Sequence, residues 1–274
     1  MDFITILVSC KEELNDLLIA ELFELGFDSF QELEDGFEGS CPQNEFSEDQ
    51  LKEVFSNYPF ASFKIKEQEK INWNKEWEKN YDPIIVDEKC IVRATFHTSR
   101  PEFQHEIIVT PKMSFGTGHH ATTYQILAYQ MELDHLDKKV LDVGSGTGIL
   151  AIMASQKGAT SLTATDIDDW CIENSAENFS LNNVEGVTLI KGQIEEVKDT
   201  NFDIVIANIN KNVLLDQMEA YGMRLKPEGH LIISGFYTND VSDLMAEAEK
   251  WNLIKVKETN KDNWAMMALT KQEV

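Results

Sequence analysis

Cations, cysteines and prolines are scarce in this 274-residue chain, and each scarcity removes a class of protein. There are 24 Lys and Arg against 48 Asp and Glu, a net charge of −24 with histidine neutral. A surface of that sign repels phosphate backbones, so direct nucleic-acid binding is not expected and a basic protein is a suitable partner. The four cysteines, Cys10, Cys41, Cys90 and Cys171, are far apart, with no CxxC pair and no zinc-type spacing; they read as free thiols of a reducing compartment. His97, His105, His135 and His230 are scattered singly and no HExxH occurs, so no catalytic metal is expected. Met1-Asp2-Phe3 lacks the basic start of a secretory signal, and no apolar run approaches the ~18 residues of a membrane span. A cytoplasmic protein with no membrane partner is the expectation. At 42% hydrophobic and 9% aromatic residues the chain is globular in composition, and its length suggests two domains.

Acidity is concentrated at the start. Residues 1–70 hold 5 Lys and Arg against 17 Asp and Glu, a net of −12. Phe3 to Val8 is β-rich, and Leu14, Leu17, Leu18, Leu22 and Leu25 recur at helical spacing up to Gly26, a natural C-terminal stop. Two short strands are expected around 27–33 and 36–41. Ser47-Glu48-Asp49-Gln50 then offers a capping box for a helix to about Asn57, and a strand over 61–68 closes the set. The order β-α-β-β-α-β is that of a small α+β ferredoxin-like domain over 1–70. Residues 71–82 read as a linker helix with Trp73 and Trp77 on one face, packed on a domain surface.

From Pro83 short strands are expected at 84–86, 91–95 and 106–109. After residue 120 strands and helices alternate: strands 139–143, 161–166, 187–190, 202–207 and 230–235, with helices 149–157, 168–181, 213–225 and 241–251, then strands 253–258 and 264–269. Met266 and Met267 in the last are expected to fill core space. Alternating βα units predict an α/β domain over 83–274, Rossmann-like, with a doubly wound, mostly parallel sheet whose ligand sits at the carboxyl ends of the strands.

Val140-Leu141-Asp142-Val143-Gly144-Ser145-Gly146-Thr147-Gly148 is a buried strand running into a glycine loop and a helix. Glycines there allow backbone to turn tightly and to approach a ligand. Ile149 stands where the dinucleotide fingerprint wants Gly or Ala, and no GK[ST] ending marks a P-loop. Asp166 ends the next strand, 22 residues after Gly144, where a carboxylate can accept both hydroxyls of a ribose. A nucleoside ligand without a pyrophosphate is indicated, and S-adenosylmethionine fits best. Upstream, Met113-Ser114-Phe115-Gly116-Thr117-Gly118-His119-His120-Ala121-Thr122-Thr123 could fold over the ligand's methionine end; a plain loop with an N-cap threonine is the alternative. Downstream, Phe202 to Ala207 ends in Asn208-Ile209-Asn210, placing two carboxamides at the sheet's carboxyl edge.

Together these segments resemble the ribosomal protein L11 methyltransferase family, of the PrmA type. The resemblance rests on MSFGTGHHATT, VLDVGSGTGILAI, Asp166 with Ile167-Asp168, and FDIVIANI, and reaches back through NWNKEWEKNYDPI. It implies a class I methyltransferase with a ferredoxin-like domain that recognises the large-subunit ribosomal protein, joined by a mobile linker. It also implies that S-adenosylmethionine is held at Thr123, Gly144, Asp166 and Asn208, with the loop of Phe115, Gly116, Thr117 and Gly118 closing over it; Gly146 is counted with the glycine loop. Asn208 is the expected catalytic residue, its carboxamide oxygen orienting an acceptor nitrogen. The family's loop commonly reads GTGTHPTT, whereas His119 and Ala121 stand here; His119 is read as a neutral replacement rather than a general base. The acceptors implied are lysine side-chain and N-terminal amines of the ribosomal protein. A glutamine-amide methyltransferase is the second reading, weakened because Asn208-Ile209-Asn210-Lys211 replaces the Asn-Pro-Pro-Tyr of that group. Methylation of ribosomal RNA lacks a basic patch to support it, and a non-catalytic S-adenosylmethionine-binding module is opposed by the intact motif residues.

Overall fold

A computed structural model describes residues 3–66, 78, 80–111 and 118–273. The chain divides into two compact units, residues 1–80 and 81–274. The expected linker helix with Trp73 and Trp77 lies almost wholly outside the described residues, as do Phe115, Gly116 and Thr117.

In the first unit, β1 (Phe3–Ser9), α1 (Asn15–Glu24), β2 (Ser29–Leu33), β3 (Gly36–Pro42), α2 (Glu48–Ser56) and β4 (Ser62–Lys66) follow the order read from the sequence. The sheet runs β2-β3-β1-β4, antiparallel throughout, so the two halves of the chain interleave at the centre as a ferredoxin-like module requires. Alternation in β1 turns Ile6 and Val8 inward, where Leu18 and Leu22 of α1 and Leu51 and Phe55 of α2 meet them. Ser47 caps α2 by accepting the Gln50 N–H.

The second unit opens with a three-stranded sheet, β5 (Ile84–Val86), β6 (Cys90–Ala94) and β7 (His105–Val109), antiparallel at β5/β6 and parallel at β6/β7. Arg93 of β6 ties to Glu106 of β7 at 2.7 Å, and this partner holds the Glu106 carboxyl down to about 2. The main sheet contains β8 (Lys139–Val143), β9 (Ser161–Asp166), β10 (Thr188–Lys191), β11 (Phe202–Asn208), β12 (Leu225–Tyr237), β13 (Leu253–Lys261) and β14 (Trp264–Lys271), in the order β10-β9-β8-β11-β12-β14-β13. β14 runs antiparallel to both its neighbours; the other pairings are parallel.

α3 (Ala121–Glu132), α4 (Ile149–Gln156) and α5 (Asp169–Leu181) cover one face of that sheet, burying Ile126, Ile152 and Phe179 with Ile204, Ile206, Ile232 and Met266. α6 (Lys211–Asp216), α7 (Met218–Arg224) and α8 (Val241–Glu249) cover the other, with Leu214, Tyr221 and Leu244 packed on Val205, Ile233 and Met267. Met266 and Met267 are both fully buried, on opposite faces, as strand alternation dictates.

Two expectations are corrected. The single helix over 213–225 is two helices meeting at buried Gln217, whose amide donates to Gln193 Oε1 and accepts the Tyr221 hydroxyl. β12 begins at Leu225 rather than His230: Phe202 pairs with Leu225 and Ile204 with His230, and residues 226–229 form an excursion with Glu228 at φ 61°.

Candidate active site

Strand order reverses between β8 and β11, and there the carboxyl ends of the strands leave a crevice between diverging connections. The first of these connections is the glycine loop. Gly144, Gly146 and Gly148 all adopt positive φ, at 70°, 54° and 76°. At Gly144 the requirement is doubled, since a Cβ there would collide with Ile209 Cγ2 from the loop after β11. Gly148 is the N-cap of α4, so the loop delivers the positive end of a helix to the crevice.

Asp166 closes β9 one strand further out and is 8% exposed. Its Oδ2 accepts the Gly146 N–H at 2.9 Å and its Oδ1 the Asp168 N–H at 3.1 Å. Each oxygen keeps acceptor capacity, so two vicinal hydroxyls can be bound side by side. The Gly144 and Ser145 N–H groups both donate to the Thr165 carbonyl oxygen, fixing the loop against β9. Ser145 Oγ and Thr165 Oγ1 are buried without a hydrogen-bond partner, leaving polar capacity at the same place.

Beneath the loop, Asp142 is fully buried. Burial pushes its carboxyl up to about 7; the Asp166 charge adds to this and the Ala151 N–H acts against it.

On the far side of the switch point, Asn208 ends β11. Its amide nitrogen donates to Thr123 Oγ1 at 3.2 Å. Thr123 lies in the first turn of α3 and is 1% exposed. That bond commits one of the two N–H donors and orients the amide, whose oxygen is an acceptor. Asn210 is occupied elsewhere, capping α6 by accepting the Val213 N–H. Of the sequence-derived candidates, Thr123, Gly144, Gly146, Asp166 and Asn208 therefore gather at one crevice. Gly118 is buried at φ 93° just before α3, against Ile84. His119 sits edge-on to the Tyr81 ring at 4.8 Å, a packing position.

Sequence reasoning passed over Asn178 and Asn182. On α5, Asn178 accepts the Thr110 N–H and donates to the Thr147 carbonyl oxygen, while Asn182, the C-cap of that helix, accepts the Ile108 N–H and donates to the Ile108 carbonyl oxygen. Asparagines four apart on a helix were the available signal. It also passed over the aromatic contacts of His120, Trp264 and Tyr237. Two surface clefts, of about 500 and 340 Å³, include none of Gly144, Asp166 or Asn208. Among the described residues no group of three or more His, Cys, Asp or Glu is placed to hold a metal.

A doubly wound sheet with one reversed strand, a glycine loop at its switch point and a carboxylate at the next strand end define a class I S-adenosylmethionine-dependent methyltransferase. The comparisons narrow this. The model of the family described as ribosomal protein L11 methyltransferase (PrmA) matches residues 27–272, and the chain belongs to that family. It is 42% identical over 262 residues to the ribosomal protein L11 methyltransferase of Phocaeicola vulgatus, covering 93% of each chain. To that of Chlorobaculum parvum it is 33% identical over 268 residues, 92% of this chain and 91% of the other. The crystal structure of a ribosomal protein L11 methylase from Lactobacillus delbrueckii subsp. bulgaricus superposes with a TM-score of 0.66 at 27% identity, over 70% of this chain and 100% of that one.

Proposed function

We propose that this chain methylates lysine side-chain and N-terminal amines of ribosomal protein L11, a basic partner recognised by the acidic domain of residues 1–70. The observation that carries this is the Asn208–Thr123 hydrogen bond at the crevice shared by Gly144 and Asp166. When bound, S-adenosylmethionine supplies a sulfonium methyl group to which a nitrogen lone pair bonds, the S–C electron pair passing to sulfur. Gly144 and Gly146 would hold the adenosine by backbone approach, Asp166 the ribose, and Thr123 with the Phe115–Gly118 loop the methionine end.

The residues' own work is then positional. A lysine amine with an ordinary pKa near 10.4 must lose a proton to water before it can react, at a cost of roughly 4–5 kcal/mol at pH 7. Withdrawing the amine from water lowers that cost by disfavouring its charged form. The Asn208 oxygen accepts an N–H of the neutral amine and so aims the lone pair; alignment of this kind is the larger part of the rate gain. The carboxamide carries no charge and needs no titration. Among the described residues no helix is long and apolar enough to cross a membrane.

The test is incubation with methyl-labelled cofactor and purified ribosomal proteins, with mass mapping of labelled peptides. Label on amines of L11 is the expected result. Label on a glutamine amide of another translation protein, or cofactor bound without transfer, would overturn the reading.

A further inference from the structure

Beyond Asn208 the sheet continues through β12 and β14, and a wall of rings stands at their site-facing ends. Tyr237 ends β12 and Trp264 begins β14; the two are register partners with ring centroids 4.2 Å apart at an interplanar angle of 31°. His120, three residues before Thr123, meets the Trp264 ring edge-on at 4.6 Å. Tyr237 is 51% exposed, so a face of the assembly is open.

Backbone, not chance, puts them on the side that carries the chemistry. Ile204 and Ile206 of β11 lie in the core cluster under α3, which places Asn208 on that face by alternation. Ile232 of β12 lies there too, whereas Phe236 lies in the opposite cluster. The register slips between Ser234 and Phe236, where Gly235 adopts φ 99°. This bulge reverses the alternation and turns Tyr237 back onto the Asn208 face. A Cβ at Gly235 would collide with the Ile209 carbonyl oxygen, so the bulge packs directly on the residue following Asn208. The rings are held in place: the Trp264 carbonyl oxygen accepts the Gln125 amide, the Tyr237 N–H donates to Asp240 Oδ2, and His120 Nδ1 accepts the Thr122 N–H.

Position assigns the side. Asp166 ends β9 and Gly144 follows β8, Asn208 ends the adjoining β11, and Tyr237 and Trp264 lie on β12 and β14 beyond. From β11 to β14 is two strand spacings, roughly 10 Å. A ligand lying from Asp166 towards Asn208 thus leaves the ring side for the acceptor. We propose that His120, Trp264 and Tyr237 form the acceptor platform, an aromatic wall that seats the amine-bearing side chain and retains it as a methylated ammonium. This deepens, and rests on, the amine-methylation reading above. Each methyl added replaces an N–H, so hydrogen-bond partners lose their grip while attraction to aromatic faces persists. Such a wall lets one nitrogen be methylated repeatedly without full release of the substrate.

The test compares the unmodified enzyme with Trp264→Leu, Tyr237→Leu and the ring-keeping Trp264→Phe, the last also serving as a folding control. Leucine variants are expected to raise the acceptor KM roughly three- to thirtyfold, to shift product from di- and trimethyl towards monomethyl, and to leave cofactor affinity by calorimetry within about twofold. Trp264→Phe is expected to restore most of each loss. Independently of turnover, free Nε-trimethyllysine titrated into the enzyme should shift the Trp264 indole resonance, identified by its absence in Trp264→Phe, more tightly than its neutral tert-butyl isostere. If the enzyme labels amines but the leucine variants keep the acceptor KM and the product distribution, or the isostere binds equally well, the platform alone is overturned. If no amine is labelled by the unmodified enzyme, the functional reading falls and the platform with it.

Discussion

A carboxamide with one end tied is a directional tool, and Asn208 is tied by Thr123. Replacing Asn208 with Ala is expected to lower kcat for amine methylation by about 10²-fold, in line with the loss of an orienting contact, while calorimetry shows cofactor Kd changed by less than about fivefold, one hydrogen bond's worth. The opposite split would make Asn208 a cofactor-holding residue. Two buried titratable groups bear on stability instead. The folded chain holds the Asp142 proton more tightly than the unfolded chain does, so its contribution is intact below the ordinary 3.8 and is lost as pH rises to about 7. His135, fully buried with Nδ1 on the Leu133 carbonyl oxygen, is held down to about 4 by burial; its contribution is intact above 6.5 and lost as pH falls towards 4. Between those limits the two oppose each other. Asp142→Asn removes one of them, so chemical denaturation should show the variant gaining stability relative to the parent as pH rises from 4 to 7, with a slope of at most about 1.4 kcal/mol per pH unit. A flat difference would mean that Asp142 is not protonated in the folded chain. Gly144 and Asp166 were legible in the sequence because loop and acid are local motifs with fixed strand and helix context. The Trp264–Tyr237 contact was not, because it joins positions on different strands through a bulge that no residue pattern announces.

Elements are stitched as well as packed. Asn178 of α5 joins Thr110, just after β7, to Thr147 in the glycine loop. Asn182, one turn on, joins the β7 edge to the Asn178 carbonyl oxygen of its own helix and makes no bond to the glycine loop among those of the described residues. Replacing either with Leu leaves an N–H and a carbonyl oxygen without that partner, at about 1–3 kcal/mol for each group that stays buried, or a fall in Tm of roughly 2–12 °C per group for a domain of this size. Their effects should separate in a second measurement: Asn178→Leu weakens cofactor binding because the glycine loop loses its strut, whereas Asn182→Leu leaves cofactor affinity unchanged. Equal cofactor affinity in both variants would reduce Asn178 to a purely architectural residue. The periodicity of 168–181 announced the helix but not what its asparagines bind, since their partners lie about 30 and 70 residues away in sequence. The break in the expected helix over 213–225 has a side-chain cause: Gln217 sits in an apolar-periodic stretch and interrupts it with hydrogen bonds that the folded neighbours Gln193 and Tyr221 supply.

At the scale of the whole chain, charge and topology were both readable, because a net of −24 is a sum and alternating βα units admit few arrangements. What the sum does not locate is the surface that uses it. In the first unit an open cleft of about 500 Å³ is bordered by Glu12, Glu34 and Asp35, with Lys11 the single cation among its lining residues and Phe60 82% exposed beside them. Carboxylates gathered in a concave surface focus the field on an approaching cation and act chiefly on the encounter rate. That action fades as the screening length falls from about 10 Å at 0.1 M salt to less than half of this near 0.5 M. Raising salt over that range should therefore raise the KM for L11 roughly three- to tenfold, with cofactor affinity and kcat unchanged. Reversing Glu34 and Asp35 to Lys should raise KM at low salt by a similar factor and flatten the salt dependence, because the variant has little attraction left to screen. If the double variant keeps the parent's KM and salt slope, the acidity of this cleft serves solubility and takes no part in recognition.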